Sequence, residues 1–272
     1  MASQKCSIIE LKSTDYVPVV KDSAVHYGGS QMWFPGKRWF SQDYKLHNYG
    51  CGTIAVSDLF LYLAINNDAY RNPLTESVLQ GTDSANYTEY MDFVRKIDGY
   101  YTKTKRWLAV LGPRAATAIN DYSRMFGLRL QAKWKWSLTY YDMMEAMEEM
   151  LSHDFPVIFA IGPNTPNLWG KKGIRLYQQY EVEIPKELAA SIGTDFLTET
   201  GALIRYKSVK ENINGHYVTV TGIIKDPVTS TIMLRISSWG KEYYIHYEEY
   251  RDYINDHGGT YTSSIVYIMK KA

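Results

Sequence analysis

The longest apolar run of the chain begins just after Cys51. In the segment NYGCGTIAVSDLFLYL, residues 48–63, only Ser57 and Asp58 interrupt the apolar residues from Ile54 onward. A helix that is hydrophobic on nearly every side is buried on nearly every side. The pattern therefore predicts a buried central helix over residues 52–64, ended by the polar residues NND.

Helical spacing and capping residues predict further helices. Pro113 and Gly127 flank one of them, since proline favours the first turn and glycine the position after the last. Thr139 is placed to cap another. The predicted ranges are 87–101, 114–126, 140–152 and 247–254.

Period-two alternation and short apolar runs predict the strands. LRLQAKWKW, residues 128–136, alternates as a half-buried strand does, and PVIFAIG, residues 156–162, reads as a buried strand. The remaining predicted strands are 216–224, 231–239, 241–247 and 263–270. We expect the first three of these four to be consecutive antiparallel neighbours.

Helices lie mostly in the first half of this order and strands mostly in the second, which predicts an α+β fold. At 272 residues the chain is long enough to bury one large core, and we expect a single domain over 1–272. Within it, 1–49 is predicted to be an irregular lead-in, 50–155 mainly helical and 156–272 mainly β.

One long segment interrupts the predicted sheet. Residues 163–214, with a predicted short helix at 185–191, are too many for an ordinary connection between strands. We therefore predict a lid or binding loop there, with Trp169 among its aromatic residues.

Composition narrows the classes of partner. The 30 basic and 29 acidic residues are interspersed and give a formal net charge of +1, so we expect neither a nucleic acid nor a membrane as partner. No segment has the length and apolarity of a signal peptide or a membrane span, which predicts a soluble, cytoplasmic protein. Cys6, Cys51 and the six histidines have no metal-ligand spacing, so no metal or other cofactor is expected.

Cys51 is either a packing residue or a reagent. Free cysteine is often buried as a small apolar residue, and this position would open a buried helix. Yet a helix N-terminus favours an anion, and an adjacent imidazole can take the thiol proton. The flanking Gly50 and Gly52 would also let a substrate backbone approach closely.

Among the histidines, His216 has the position of a catalytic base. It opens the predicted strand GHYVTVTGI at a sheet end, where its side chain can face a cleft while Val218 and Val220 enter the core. A turn through DPVT, residues 226–229, would place Ser237, Ser238 or Trp239 across from it.

Together the segments GCGTIAVSDLFLYL, PVIFAIG, GHYVTVTGI and ISSWG resemble the papain-like cysteine peptidases, and in motif style the bacterial double-glycine leader peptidases. The resemblance implies a papain-like fold with Cys51 as nucleophile and His216 as base. In the family, Asn-Ser-Trp-Gly supplies the residue that orients the histidine. Here Ser237 stands at the asparagine position, while strand alternation leaves Ser238 as the alternative.

The resemblance also implies an oxyanion donor and a substrate-binding surface. The family's glutamine six residues before the cysteine is replaced by Lys45, so Asn48 or Gln42 is expected to act with the Cys51 backbone N–H. Trp239 corresponds to the tryptophan that covers the histidine's hydrogen bond. Candidate substrate-binding residues are Tyr49, Gly50, Trp239 and Trp169.

The expected function is cleavage of a peptide or protein substrate through a Cys51 acyl-enzyme. Two alternatives stay open. Related folds pass the acyl group to another acceptor, as acyltransferases or thioesterases do. A catalytically impaired peptide-binding module would keep the fold but lose the chemistry, and the missing family residues motivate that reading.

Overall fold

In the computed structural model, which describes residues 7–162, 173–183, 203–226 and 230–271, helices and a large antiparallel sheet form an α+β structure. The strands are β1 Ser7–Glu10, β2 Pro18–Lys21, β3 Ala24–Tyr27, β4 Ala85–Asn86, β5 Leu130–Trp136, β6 Val157–Ile161, β7 Ile174–Val182, β8 Leu203–Ile213, β9 His216–Asp226, β10 Thr231–Ser238, β11 Lys241–His246 and β12 Ser264–Lys270. The α-helices are α1 Gln42–Tyr49, α2 Cys51–Asn66, α3 Pro73–Leu79, α4 Tyr87–Ile97, α5 Gly112–Met125, α6 Tyr140–Ser152 and α7 Tyr247–Asp256.

The large sheet has the order β5-β12-β6-β9-β10-β11-β7-β8, with β1 also paired to β9. The expectation that β9, β10 and β11 are consecutive antiparallel neighbours is confirmed. β9 lies at the centre of the sheet. Along one edge its first half pairs with β6 and its second half with β1, and along the other edge it pairs with β10, so His216 begins a strand that is held on both sides.

For most of the predicted helices and strands, the predicted bounds agree with the structure within a few residues. The predicted helix at 140–152 coincides with α6, and the central helix extends to Cys51–Asn66. The predicted helix at 87–101 ends earlier, at Ile97, and continues as a π-helical turn over Asp98–Thr102.

The irregular lead-in is wrong for the part of 1–49 that the structure describes. β1 joins the large sheet, β2 and β3 form a small sheet with β4, and α1 precedes the cysteine. The three strands have four residues each, too few for a period to stand out from its surroundings.

The long segment at 163–214 does not interrupt the sheet. Its described residues form β7 and β8, an antiparallel pair that extends the sheet beyond β11. Residues 163–172 and 184–202, including the predicted helix at 185–191, lie outside the described residues.

α2 is the central helix that the apolar pattern predicts. Every residue from Cys51 to Ala64 is buried, and the helix packs against α3, α4, α5 and β9. Full burial of a leucine or phenylalanine side chain stabilises the fold by about 1.5–3 kcal/mol, so this helix supplies a large share of the core.

Gly50 joins α1 to α2, whose axes differ in direction by 91°. A side chain on Gly50 would overlap the carbonyl oxygen of Leu46, so the bend requires glycine. Within the described residues no single helix has the length and apolarity to cross a membrane; α1 and α2 reach them only together, as this bent pair.

Candidate active site

Cys51 lies in the first turn of α2 and is only 7% exposed. Burial raises the pKa of its thiol, and hydrogen bonds from the backbone N–H groups of Tyr217 and Gly52 lower it in part. Tyr217 directly follows His216 in β9. The backbone contact therefore ties the sulfur to the start of the histidine strand.

His216 is held by Ser238, the last residue of the neighbouring strand β10, and by Trp239, which follows it. Its Nε2 lies 2.8 Å from the Ser238 hydroxyl oxygen, and its ring stacks on Trp239 at a centroid distance of 4.3 Å and an interplanar angle of 9°. Burial, and secondarily the positive charge of Lys210, lowers the pKa of His216 to about 3. The imidazole is therefore neutral at pH 7.

Ser238, and not Ser237, contacts the histidine, which corrects the motif-based expectation. The Ser237 hydroxyl donates to the backbone carbonyl of Tyr27 at 2.8 Å. Along β9, Ser237 pairs with Thr219, because the register shifts at a bulge between Arg235 and Ile236. Successive residues of a strand face opposite sides, so only one of the two serines can face His216.

Cys51 and His216 line one cavity of about 20 Å³. Such a volume accommodates about one water molecule. The other residues around it are Gly29, Gln31, Ile54, Ala55, Asp58, Tyr217, Val218, Thr219, Ser237, Ser238 and Trp239. Among the described contacts there is no direct hydrogen bond between the Cys51 sulfur and the His216 ring, so the shared cavity is what connects them.

Asp58 is a site residue that the sequence-based reasoning missed. It lies seven residues after Cys51 on the cavity face of α2 and accepts hydrogen bonds from the Tyr90 hydroxyl at 2.6 Å and the Gly29 N–H at 3.0 Å. Burial raises its pKa to about 7, although both donors favour the ionised form. A carboxyl group inside an otherwise apolar helix was the signal that could have identified it.

The expected oxyanion donors do not reach the cavity. Asn48 is exposed and its amide donates to the Tyr44 carbonyl, while the Gln42 amide donates to the Arg95 carbonyl and the Asp98 carboxylate. The reason is the sharp bend at Gly50, which turns α1 away from the axis of α2.

Gln31 lines the cavity, where Gln42 or Asn48 was expected. It lies in a 3₁₀ turn over Gln31–Trp33, and one hydrogen of its amide is donated to the His47 carbonyl at 2.9 Å. Its Oε1 is buried and has no hydrogen-bond partner among the described residues. Sequence spacing could not reveal this residue, because it is separated from Cys51 by the whole of α1.

The expected substrate-binding residues lie in different surroundings. Tyr49 contacts Trp107 at a ring-centroid distance of 6.1 Å, and Trp239 covers His216. Gly50 is buried at the helix junction, and its expected contact with substrate stays a prediction. Trp169 lies outside the described residues.

Gly52 lies at a close internal contact of α2. A Cβ there would lie 3.0 Å from the Val110 side chain and 3.3 Å from that of Tyr217. The missing side chain lets α2 approach β9 closely, which brings the sulfur to the Tyr217 backbone.

No group of three or more His, Cys, Asp or Glu side chains in the described part of the chain is arranged to hold a metal ion. No family model, curated protein or solved structure matches the chain. Any function must therefore be argued from the chemistry of the site.

Proposed function

We propose that this protein is a thiol-dependent peptidase with a papain-like fold, in which Cys51 is the nucleophile and His216 the base. The observation that carries the proposal is the shared cavity. In it, a cysteine at the first turn of a buried helix meets a histidine whose ring is held by Ser238 and Trp239.

The reaction starts from a neutral pair. Burial raises the pKa of the Cys51 thiol and lowers that of His216, so the thiol keeps its proton and the imidazole is free to accept it. Nε2 is engaged with Ser238, which leaves Nδ1 as the acceptor. A water molecule in the cavity, or a small rotation of either side chain, would provide the path for the proton.

Proton removal lets the sulfur form a bond to the peptide carbonyl carbon. The carbon–nitrogen bond then breaks, and the departing amine takes the proton from His216. Water attacks the resulting thioester with His216 again as base, which releases the acid and restores the thiol. Ser238 accepts a hydrogen bond from Nε2–H throughout, because the proton is gained and lost at Nδ1.

Gln31 is the side-chain donor best placed for the oxyanion that forms on the carbonyl. Gln31 lines the cavity, and its amide nitrogen donates one of its two hydrogens to the His47 carbonyl, so the second is available for an oxyanion. Removing one oxyanion donor typically lowers kcat by about 10²–10³-fold. Gln31 takes this role in place of Asn48 and Gln42.

A thiol-directed epoxide tests the proposal. In a Cys6→Ser background, we expect one covalent adduct, located on Cys51 by mass spectrometry and absent from the Cys51→Ala variant. His216→Ala should slow adduct formation by about 10²-fold or more, because a positioned base contributes about 10²–10⁴-fold. The proposal would be refuted by an equal yield of adduct in the Cys51→Ala variant.

A second candidate is a peptide-binding module without catalysis. It is favoured by the burial of Cys51 and by the absence of a direct bond from its sulfur to His216 within the described contacts. It predicts peptide binding that Cys51→Ala leaves unchanged and no cleavage of a peptide library. Cleavage that depends on Cys51 would exclude it.

A further inference from the structure

A loop is tied to the nucleophile end of α2. The hydroxyl of Thr53, two residues after Cys51, lies 2.7 Å from that of Thr104 and 2.8 Å from that of Thr102. Val110 packs at Gly52, and Trp107 contacts Tyr49. The stretch 103–110 therefore borders the helix turn that carries the sulfur.

A pocket of about 380 Å³ opens beside this loop. Its lining residues are Gln42, Lys45, Asp98, Gly99, Lys103, Thr104, Lys105 and Arg106. The lining thus contains four cationic side chains and a single carboxylate.

The one carboxylate does not neutralise the four cations. Asp98 is 2% exposed and accepts hydrogen bonds from the Gln42 amide at 2.9 Å and the Thr104 N–H at 2.7 Å. None of the four cationic side chains forms an ion pair with another described residue. A surplus of positive charge therefore faces the pocket.

Aromatic side chains fix Arg106 at the rim. Its guanidinium lies 4.1 Å from the ring centroid of Trp39 and 5.0 Å from that of Trp107. These two rings and Phe40 are 51%, 67% and 88% exposed. The pocket thus has an exposed apolar border on the same side of the molecule as Tyr49.

We infer that this pocket binds an acidic side chain of the peptide substrate, a few residues from the scissile bond. The inference rests on the proposed peptidase function and adds a substrate class to it. The occupant is a carboxylate of a peptide because the loop that lines the pocket is hydrogen-bonded through Thr102 and Thr104 to Thr53, in the helix turn that carries the proposed nucleophile. The interspersed charges of the whole chain, with a net value of +1, provide no continuous track for a nucleic acid.

Binding is tested apart from catalysis, with the Cys51→Ala protein. The probes are a fluorescein-labelled octapeptide in which Glu alternates with Ala and its isostere in which Gln replaces every Glu. We expect the Glu peptide to bind about tenfold more tightly than the Gln peptide, and its affinity to fall with added salt, since exposed charge pairs are screened.

Charge reversal locates the site. Lys103→Glu combined with Lys105→Glu should abolish the preference for the Glu peptide, whereas Lys133→Glu, an exposed substitution on β5, should leave it unchanged. Equal affinities for the two peptides, or the same loss in Lys133→Glu, would overturn the inference. A circular dichroism spectrum equal to that of the parent protein establishes that the double variant is folded.

Activity separates this inference from the function on which it rests. If the Cys51-dependent enzyme cleaves Glu-containing and Gln-containing members of a peptide library equally well, the acidic subsite is wrong and the peptidase stands. If no peptide is cleaved, the peptidase proposal is wrong. The pocket then cannot determine which peptides are cleaved, even if it binds the Glu peptide.

Discussion

At the scale of single residues, the groups in direct contact with the His216 ring are uncharged. Its Nε2 contacts a serine hydroxyl, and its ring lies on Trp239, which also has the ammonium group of Lys210 at 4.8 Å from its ring centroid. A neutral hydrogen bond contributes about 1 kcal/mol, whereas a bond to a charged group contributes about 1.5–3 kcal/mol. Ser238 can therefore hold the ring in place but stabilises the imidazolium only weakly.

The two adjacent serines should separate activity from stability. Ser238→Ala removes the bond to His216, so we expect the rate of Cys51 alkylation to fall about tenfold, which corresponds to about 1.4 kcal/mol. Ser237→Ala should leave this rate unchanged and lower the free energy of unfolding by about 1 kcal/mol, because it loses the bond to the Tyr27 carbonyl.

Alkylation rates and urea unfolding curves of the two variants check this assignment. Each serine is the control for the other, since both are buried and adjacent in β10. If Ser237→Ala slows alkylation as much as Ser238→Ala does, the structural assignment of the third residue is wrong.

At the scale of elements, the site depends on how closely α2 approaches β9. Gly52 lies at the contact, and an added methyl group would meet Val110 and Tyr217 at distances that force one of them to move. Overpacking of a core costs about 1–3 kcal/mol, while replacing glycine by alanine in a helix gains about 0.5–1 kcal/mol. The cost exceeds the gain.

We therefore expect Gly52→Ala to lower the free energy of unfolding by about 1–2 kcal/mol in urea denaturation. The matched control is Gly99→Ala, in the π-helical turn, where a Cβ meets only the Gln42 amide at 3.7 Å and the variant should be at least as stable as wild type. A Gly52→Ala protein as stable as Gly99→Ala would show that α2 and β9 are not tightly packed at this point.

At the scale of the whole molecule, two buried groups near one cavity give opposite pH dependences of stability. The folded protein holds a proton on Asp58 up to about pH 7, whereas the unfolded chain loses it near 3.8, so stability falls as the pH rises between these values. For His216 the unfolded chain binds a proton below 6.5 and the folded protein only below about 3, so stability rises with pH in that window.

Between about pH 4 and 6.5 the two slopes, each about 1.4 kcal/mol per pH unit, oppose one another. Asp58→Asn should therefore make stability rise more steeply with pH than in wild type, and His216→Gln should make it fall. Unfolding free energies from urea curves at pH 4, 5 and 6 measure these slopes.

Ser237→Ala is the control for this pH experiment. Ser237 lines the same cavity but has no group that titrates in this range, so the variant should keep the wild-type dependence of stability on pH. The titratable neighbours of Asp58 are Tyr16 and Tyr90, whose pKa values burial raises further above this range, and the charged neighbour of His216 is Lys210. An Asp58→Asn curve parallel to that of wild type would contradict the raised pKa.

Local residue patterns were sufficient to predict most of the helices and strands. Apolar periodicity and capping residues predicted α2, α6 and the run from β9 to β11, because those signals depend only on neighbours in the chain. They also predicted Cys51 at the start of a buried helix and His216 at the start of a strand. Short strands such as β1 carried no such signal, because four residues cannot establish a period.

The tertiary structure determined which residues form the candidate active site. The register shift between β9 and β10 determined that Ser238 and not Ser237 contacts His216, and the bend at Gly50 left Gln31, and not Gln42, in the lining of the cavity. Asp58 and the pocket around Lys103 and Lys105 also depend on contacts between distant segments. Register, bends and long-range packing set which side chains meet, and none of the three is encoded in the spacing of residues along one segment.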